Sequence, residues 1–319
     1  MIGLLLLACL WDQDTLAMEK RQFPDTLQVL AGEFTRHSKE FYEWRIRDRR
    51  KKLKTDPGNL RLLDDLAVAY DKTGRPEKGI ELMRASLARK PGRYETVANL
   101  GTLLIHAGRL EEGLARIREA IRINPDAHFG REIVQAWVVE YVLARRRAGA
   151  EGFPLRPKGT ARKPHGGFAA FLRDKGVDIT MDRAKIVKGL TGMMFFGNHT
   201  SPVLCECLGD VLVRADRYER EGARRTAARA YLKASYAMKD EAARAQYRRF
   251  ANRALQSQTT TRRSKKQITL ERVESTFAKE RKRGAAYAAS IAADEQRWID
   301  EGADVDARFR AKYYRNDLG

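Results

Sequence analysis

The chain has 319 residues, of which 43% are hydrophobic and 33% are charged, and its net charge is +20. This hydrophobic fraction excludes a wholly disordered protein, and three cysteines are too few for a disulfide framework in a chain of this length. No apolar run approaches the roughly 18 residues that a membrane-spanning helix needs. The positive charge suggests polyanionic partners but identifies neither a fold nor a reaction.

The first ten residues form a short apolar segment from Ile2 to Leu10, and charged residues begin at Asp12. The segment has the length of the apolar centre of a secretion signal, and Ala8 before Cys9 resembles a bacterial lipoprotein cleavage box. No Lys or Arg precedes it, although secretion signals normally carry one. We expect an exported, periplasmic or lipid-anchored protein, with Cys9 as a candidate lipidation site. A buried helix turn in a cytoplasmic protein is the alternative.

The pattern of residues 38–57 predicts a helix with Ser38 as its N-cap and with Pro57 beyond its end. Pro57 lies 34 residues before Pro91. Because that interval recurs further along the chain, we interpret residues 38–57 as the second helix of a degenerate repeat.

A repeat of 34 residues relates residues 60–93 to residues 94–127. The matched pairs include Leu66 with Leu100, Ala67 with Gly101, Gly74 with Gly108, Glu77 with Glu111, Gly79 with Gly113 and Pro91 with Pro125. In each copy, apolar residues three and four apart line a first helix, a glycine ends it, and a proline stops a second helix. Such a hairpin buries its apolar face only against its neighbours, so the sequence predicts an all-α, helical-hairpin solenoid.

Both copies resemble the tetratricopeptide repeat, whose signature is W-x2-L-G-x2-Y, then A-x3-F, then P. The first copy places Leu63, Leu66, Ala67, Tyr70, Gly79, Met83 and Pro91 in these slots, and the second places Val97, Leu100, Gly101, Leu104, Gly113, Ile117 and Pro125. The Trp is absent from both copies, and Gly replaces the Ala. The resemblance implies a concave groove, lined by the first helices, that binds peptides or protein segments.

By position, the resemblance assigns to this groove Arg61, Asp64, Val68, Asp71 and Lys72, then Glu95, Ala98, Thr102, Ile105 and His106, with Glu132 and Glu140 from the following helix. Some family members grip a terminal carboxylate with Lys and Asn, but the equivalent slots here hold Asp64 and Val68. We therefore expect no such clamp. Acidic groove residues outnumber the basic ones, which favours a protein or peptide partner of basic or mixed charge. The alternative is that these residues lie on solvent-exposed helix faces that bind no partner.

After the second copy, apolar spacing predicts a helix over residues 127–146, and a Gly/Pro-rich basic linker follows over 148–167. Short helices are predicted over 168–175 and 181–194. A third, looser copy has Cys205, Leu208, Gly209 and Leu212 in its first helix and Ala227, Tyr231 and Ala234 in its second, with six extra residues in the turn. A further helix is predicted over 241–256.

A polar, basic stretch over 256–266 predicts a second linker, and a long helix follows from Gln267 to about Glu301. Apolar residues or glycine recur in it every seven residues, at Leu270, Phe277, Gly284, Ile291 and Trp298. Glu280 and Asp294 occupy slots that a coiled coil would fill with apolar groups. We expect the helix to pack along the solenoid, and a dimeric coiled coil is the alternative.

No residue pattern indicates catalysis, a metal site or a cofactor. The five histidines lie far apart, and Cys205 and Cys207 stand two apart on a predicted helix, so they face different directions. Cys205 fills a packing slot of the third repeat. We therefore predict a protein that is not an enzyme.

Basic clusters are the remaining candidate for function. They comprise Arg45, Arg47, Arg49, Arg50, Lys51, Lys52 and Lys54; Arg145, Arg146, Arg147, Lys158, Arg162 and Lys163; and Arg262, Arg263, Lys265 and Lys266. Such clusters can neutralise nucleic-acid phosphates or lipid headgroups. The preferred function is a protein–protein interaction scaffold, and the alternative is a basic adaptor that associates with nucleic acid or an anionic membrane.

These observations divide the chain into six segments. They are a possible signal or lipoprotein remnant (1–10), N-terminal helices with a degenerate repeat (11–58), the two clear repeats with the following helix (59–147), the basic linker with short helices (148–200), the third repeat with a helix (201–256), and a linker, long helix and tail (257–319). The oligomeric state is left open by the sequence.

Overall fold

The computed structural model describes residues 10, 12, 23–156, 167–213, 220–256 and 268–314. Within these ranges every regular element is helical, so the prediction of an all-α fold is confirmed. The α-helices are α1 (Thr26–Ala31), α2 (Lys39–Thr55), α3 (Leu60–Lys72), α4 (Pro76–Arg89), α5 (Tyr94–His106), α6 (Leu110–Ile123), α7 (Arg131–Arg147), α8 (Phe168–Asp174), α9 (Ile179–Met193), α10 (Pro202–Leu212), α11 (Arg220–Tyr236), α12 (Glu241–Gln256), α13 (Leu270–Asp300) and α14 (Val305–Tyr313).

The four helices of the two clear repeats begin and end where glycine and proline predict. Gly74 and Gly108 follow α3 and α5 with φ angles of 80° and 85°, a left-handed conformation that glycine adopts without strain. The helices α4 and α6 end two residues before Pro91 and Pro125. Gly113 is needed for packing, because a Cβ atom there would lie 2.8 Å from the carbonyl oxygen of Gly101.

The helices stack in chain order. Each helix from α3 to α7 packs on the one before it, α9 packs on α7, and the row continues from α9 through α12. The short helix α8 packs against α7 and α10. The predicted helix over 127–146 begins later than expected, at Arg131, because a 3₁₀ turn (Ala127–Gly130) ends with Gly130 at a φ angle of 71°.

The short helix α1 lies between the early and late parts of this row. It contacts α9, α11 and α13, and Val29 and Leu30 are fully buried in the largest apolar cluster. The same cluster includes side chains from α5 to α7 and from α9 to α13. The helices from α5 to α13 therefore share one core with α1, whereas α2 to α4 contribute to separate apolar clusters.

The long helix α13 runs across the row and contacts α1, α2, α11 and α12. Its seven-residue stripe is buried within this chain, including Phe277 and Ile291, which are fully covered. The two acidic residues of the stripe are neutralised, Glu280 by Arg229 at 2.8 Å and Asp294 by Lys312. This helix therefore packs along the other helices, and ion pairs explain the acidic residues in its stripe.

The C-terminal helix α14 has no counterpart among the predicted elements. Asp304 caps its N-terminus, and Asp306 accepts hydrogen bonds from Arg45 at 2.8 Å and Arg49 at 2.5 Å on α2. In the described part of the chain, no helix combines the length and the apolarity that crossing a membrane requires.

Several predictions fall outside the described residues. They concern the apolar segment with Cys9, the turn of the third repeat at 214–219, most of the linker at 157–166, and the linker with the basic cluster at 257–267. The helices of the third repeat, α10 and α11, are present on either side of that turn.

Candidate partner-binding site

The residues assigned to the groove lie on one face of α3, α5 and α7, which we call the first-helix face. The helices α3 and α5 contact each other directly. Six of the nine principal groove residues are buried: Asp64, Val68, Asp71, Thr102, Ile105 and His106. Arg61 is exposed, Glu95 is partly exposed, and Lys72 is half-buried. Most of this face is therefore inside the protein.

Two buried acidic residues of this face, Asp64 and Asp71, are paired within the chain. Asp64 accepts hydrogen bonds from the guanidinium of Arg93 at 2.6 and 3.0 Å. Burial raises the pKa of Asp64 to about 6, although Arg93 opposes the shift. A carboxylate oxygen of Asp71 lies 2.8 Å from Nδ1 of His106, which joins the first repeat to the second.

The remaining residues assigned to the groove contact other parts of the protein instead of solvent. The Thr102 hydroxyl accepts a hydrogen bond from Gln135 of α7 at 3.1 Å. Val68, Ala98 and Ile105 each belong to an apolar cluster. These side chains stabilise the stack of helices and do not point to solvent.

The chain itself covers the first-helix face. One π-helical turn, Met194–Asn198, follows α9 and is named the π-turn here. The Lys72 ammonium donates hydrogen bonds to its carbonyl oxygens at Phe196 (2.6 Å) and Gly197 (3.1 Å). The guanidinium of Arg131 on α7 lies 4.7 Å from the centre of the Phe196 ring. An internal segment therefore occupies part of the face that the resemblance assigns to a partner.

The two acidic residues of α7 differ in exposure. Glu132 is buried. Glu140 pairs with Arg118 at 2.7 Å and with Lys175 at 2.8 Å. Burial opposes the charge of Glu140, but the two cations keep its pKa below the ordinary value.

An open groove lies on the other side of the repeats, between the second helices α4 and α6. We call it the outer groove; its volume is about 630 Å³. Apolar lining comes from Leu87, Ala88, Leu100, Leu104 and Ala115, and charged lining comes from Arg84, Glu112, Arg116, Glu119 and Arg122. Arg116 and Glu119 pair at 2.6 Å. The groove combines an apolar floor with charges of both signs.

The first basic cluster divides into a buried and an exposed set. Arg45 and Arg49 are buried and paired with carboxylates. Exposed cations at intervals of three and four follow one side of α2 and border a surface depression, and we call them the basic stripe: Arg47, Arg50, Lys51 and Lys54. The 3.6-residue period could have revealed this stripe in the sequence.

The second basic cluster is described only in part. Arg145 donates to the carbonyl oxygen of Leu155 at 2.6 Å and therefore fixes the loop after α7. Its neighbours Lys158, Arg162 and Lys163 lie outside the described residues.

The described residues contain no group of three or more His, Cys, Asp or Glu side chains placed to hold a metal ion. Cys205 and Cys207 are buried, and burial raises the pKa of the Cys205 thiol to about 12. A thiol in this environment is a poor nucleophile at neutral pH.

The chain was compared with known proteins. No protein-family model matches it, and no curated protein is found to be similar.

Proposed function

We propose that the protein is a non-catalytic interaction scaffold of tetratricopeptide-like hairpins, and that it binds a protein or peptide segment of mixed charge in the outer groove. The observation that carries the proposal is the open groove of about 630 Å³ between α4 and α6. These helices occupy the same position in two successive repeats. A partner there would contact both repeats at once.

The repeat geometry supports this proposal. Gly79 of α4 approaches Ala67 and Leu103, and Gly113 of α6 approaches Gly101 and Ile105. The equivalent contacts of Gly79 with Ala67 and of Gly113 with Gly101 hold α4 and α6 against the first helices of their hairpins, with α5 between α4 and α6. The gap between α4 and α6 is therefore a product of the repeat itself.

The first-helix face is less suited to a partner than the outer groove. Its acidic side chains already have partners, and the π-turn accepts the hydrogen bonds of Lys72. A peptide would have to displace these contacts before binding. In the outer groove, the contact between α4 and α6 is an exposed, loose ion pair of Arg84 with Glu112 at 3.8 Å, which a partner can replace at little cost.

The lining of the outer groove indicates the chemistry of the partner. Leu87 and the methyl groups of Ala88 and Ala115 offer apolar contacts, which supply most of the free energy in helix-in-groove recognition. The Arg and Glu side chains around them match a segment that carries both signs of charge. We expect an amphipathic segment whose apolar side chains enter the groove.

Site-specific photocrosslinking in the full chain tests the proposal. The photoreactive residue is placed at Ala88 or Ala115 in the outer groove, and at Arg61 on the exposed end of the first-helix face. Each variant is irradiated in an extract of the source organism, and adducts are identified by mass spectrometry. We expect one shared adduct at Ala88 and Ala115 that is absent at Arg61. The reverse pattern would place the partner on the first-helix face and overturn the outer-groove proposal.

The purified partner then allows a binding measurement. Ala88→Arg should weaken the affinity at least tenfold, because the long charged side chain fills the groove. Ala285→Arg, at an exposed alanine of α13, is the matched control and should leave the affinity unchanged. Equal affinities for both variants would contradict the proposal.

The basic stripe favours a second candidate function, which is binding to nucleic-acid phosphates. Among the described residues, no carboxylate lies within 4 Å of its four exposed cations, which lie along about two turns of α2. Each phosphate contact contributes about 0.9 to the slope of log K against log salt for duplex DNA. Anisotropy of a labelled duplex between 50 and 200 mM salt measures that slope. The slope should be smaller for the double variant Arg50→Gln/Lys51→Gln and unchanged for Lys282→Gln. Absence of binding at the lowest salt would exclude this candidate function.

A further inference from the structure

A cavity of about 190 Å³ lies between the segment that precedes α2, the end of α3 and the π-turn. Basic lining comes from Arg36, His37, Lys39, Lys72 and His199, and ring lining from Phe34, Tyr42, Phe195 and Phe196. We call it the cationic cavity. Asp12 is the carboxylate among its described lining residues, and it already accepts a hydrogen bond from Arg45 at 3.1 Å.

Three cations of this cavity have no ion pair. Arg36, Lys39 and Lys72 have no carboxylate oxygen within 4 Å among the described residues. Arg36 donates to the carbonyl oxygen of Gly32 at 2.6 Å, and Lys72 donates to the π-turn. Carbonyl groups satisfy these donors but do not neutralise their charge.

Several arginines elsewhere in the molecule follow a different pattern, because each of them faces a carboxylate. Such pairs are Arg45 with Asp306, Arg49 with Asp65, Arg93 with Asp64, Arg156 with Asp210 and Arg229 with Glu280. Burying a charge without a counter-charge is costly, and these pairs avoid that cost. Arg36, Lys39 and Lys72 differ from these arginines, because no carboxylate of the described residues faces them.

A further basic side chain, Lys233, lies next to the cavity-lining His199 and has no carboxylate within 4 Å among the described residues. The buried Lys233 ammonium lies 2.6 Å from Nδ1 of His199 and also donates to the carbonyl oxygen of Leu30. Burial, assisted by Lys233, Arg36 and Arg281, lowers the pKa of His199 to about 2. Burial and these neighbouring cations therefore disfavour a further positive charge at His199.

We propose that the cationic cavity binds a small phosphate-bearing anion, held by Arg36, Lys39 and Lys72. A multiply charged oxyanion matches one guanidinium and two ammonium groups, since charge-assisted hydrogen bonds to such anions are the strong ones. This site is separate from the outer groove, and its test is independent of the proposed function.

The size and the walls of the cavity limit the ligand. A dry cavity of about 150 Å³ accommodates a benzene ring, and drug-sized ligands need about 300 Å³ or more. The rings of Phe34 and Phe195, which meet edge to face at 5.2 Å, give the cavity an apolar side. An aryl phosphate uses both the cations and the rings, whereas inorganic phosphate uses the cations alone.

Isothermal titration of the full chain with inorganic phosphate and with phenyl phosphate tests the proposal. We expect saturable binding of both at low salt, with phenyl phosphate binding at least tenfold more tightly. Lys39→Gln and Lys72→Gln should each weaken the binding about tenfold. Lys279→Gln removes an exposed lysine of α13, outside the cavity and the basic stripe, and should leave the affinity unchanged.

Because Lys72 holds the π-turn, its variant is checked for native helix content by circular dichroism. Lys39 is exposed, so we expect the Lys39→Gln variant to fold. This variant therefore tests the proposal even if the Lys72 variant does not fold. Absence of saturable binding up to 10 mM phenyl phosphate would overturn the proposal. Equal weakening by Lys39→Gln and Lys279→Gln would also overturn the proposal, because it would show a general charge effect.

Discussion

At the scale of single residues, two buried carboxylates of α10 hold the loop after α7 in place. Glu206 accepts hydrogen bonds from the backbone N–H groups of Leu155 (2.9 Å) and Arg156 (3.0 Å) and from Tyr247 (2.6 Å). Burial and the neighbouring Asp210 raise the pKa of Glu206 above its ordinary value. The loop therefore depends on a carboxyl group with several donors and little access to water.

Glu206→Gln should destabilise the protein by about 3 kcal/mol, since an amide nitrogen would face donors that now have an acceptor. Urea denaturation followed by tryptophan fluorescence measures the change. Glu111→Gln, at an exposed glutamate of α6, is the control and should change stability by less than about 0.5 kcal/mol. A loss of stability no larger than that of the control would show that the hydrogen bonds of Glu206 do not stabilise the fold.

Lys233 makes stability depend on pH. Burial lowers its pKa from 10.5 to about 7 in the folded protein, although Cys205 opposes the shift. Between these values the unfolded chain binds the proton and the folded chain does not, so the free energy of unfolding rises with pH. The rise from this residue should reach about 2 kcal/mol between pH 7 and pH 9.

Urea denaturation at several pH values checks this expectation. Lys233→Met should remove most of the rise, whereas Lys239→Met, at an exposed lysine close to α11, should retain it. The same pH dependence in the Lys233 variant and the wild type would contradict the assignment.

At the scale of elements, Gly284 sets how closely α13 approaches α1. A Cβ atom at this position would lie 2.5 Å from the carbonyl oxygen of Ala31 and 2.7 Å from the carbonyl carbon of Gly32. Both are backbone atoms, so a methyl group there would push the two elements apart.

Gly284→Ala should therefore destabilise the protein by about 2 kcal/mol, although alanine is the better helix former. Gly222→Ala on α11 has open space around the new methyl group and should stabilise the protein by about 0.5–1 kcal/mol. Thermal denaturation of both variants checks the contrast. Stabilisation by both would show that α13 adapts to the methyl group.

The sequence predicted those elements whose signals are local. Glycine, proline and apolar spacing placed α3 to α6, and Ser38 correctly marked the start of α2. The helix α14 was missed because Asp306 pairs with arginines more than 250 residues earlier, which leaves no local pattern.

The candidate site was predicted less completely for the same reason. The resemblance identified positions such as Asp64 and Lys72, but their burial depends on distant segments. The contact between Lys72 and the π-turn joins residues 124 apart in the chain. Likewise, the division of the first basic cluster into buried arginines and an exposed stripe depends on carboxylates from elsewhere, including Asp306.

At the scale of the whole molecule, α13 and α14 join the C-terminal part of the chain to its beginning. Glu295 on α13 accepts a hydrogen bond from the backbone N–H of Ser38 at 2.8 Å, and its carboxylate lies 2.6 Å from Nδ1 of His37. Asp306 on α14 joins Arg45 and Arg49. These contacts close the row of helices.

Asp306→Asn should weaken this closure, because two buried guanidinium groups would lose a shared anionic partner. We expect a loss of about 3 kcal/mol. Hydrogen exchange should show lower protection in α2 and α14 and unchanged protection in α5 and α6. Glu301→Gln at a partly paired, exposed glutamate is the control, and unchanged protection of α2 would contradict the prediction.

This closure has a consequence for the order of folding during synthesis. The stacked hairpins can form from contacts close in sequence as the chain emerges from the ribosome, and such local contacts form quickly. Arg45 and Arg49, in contrast, meet Asp306 only after about 260 further residues have been added, on the order of 10–50 s later at ordinary rates of translation. Until then the apolar side of α1 and the start of α2 lack their final partners. The nascent protein therefore passes through a stage in which its repeats are folded and its first helices still await the end of the chain.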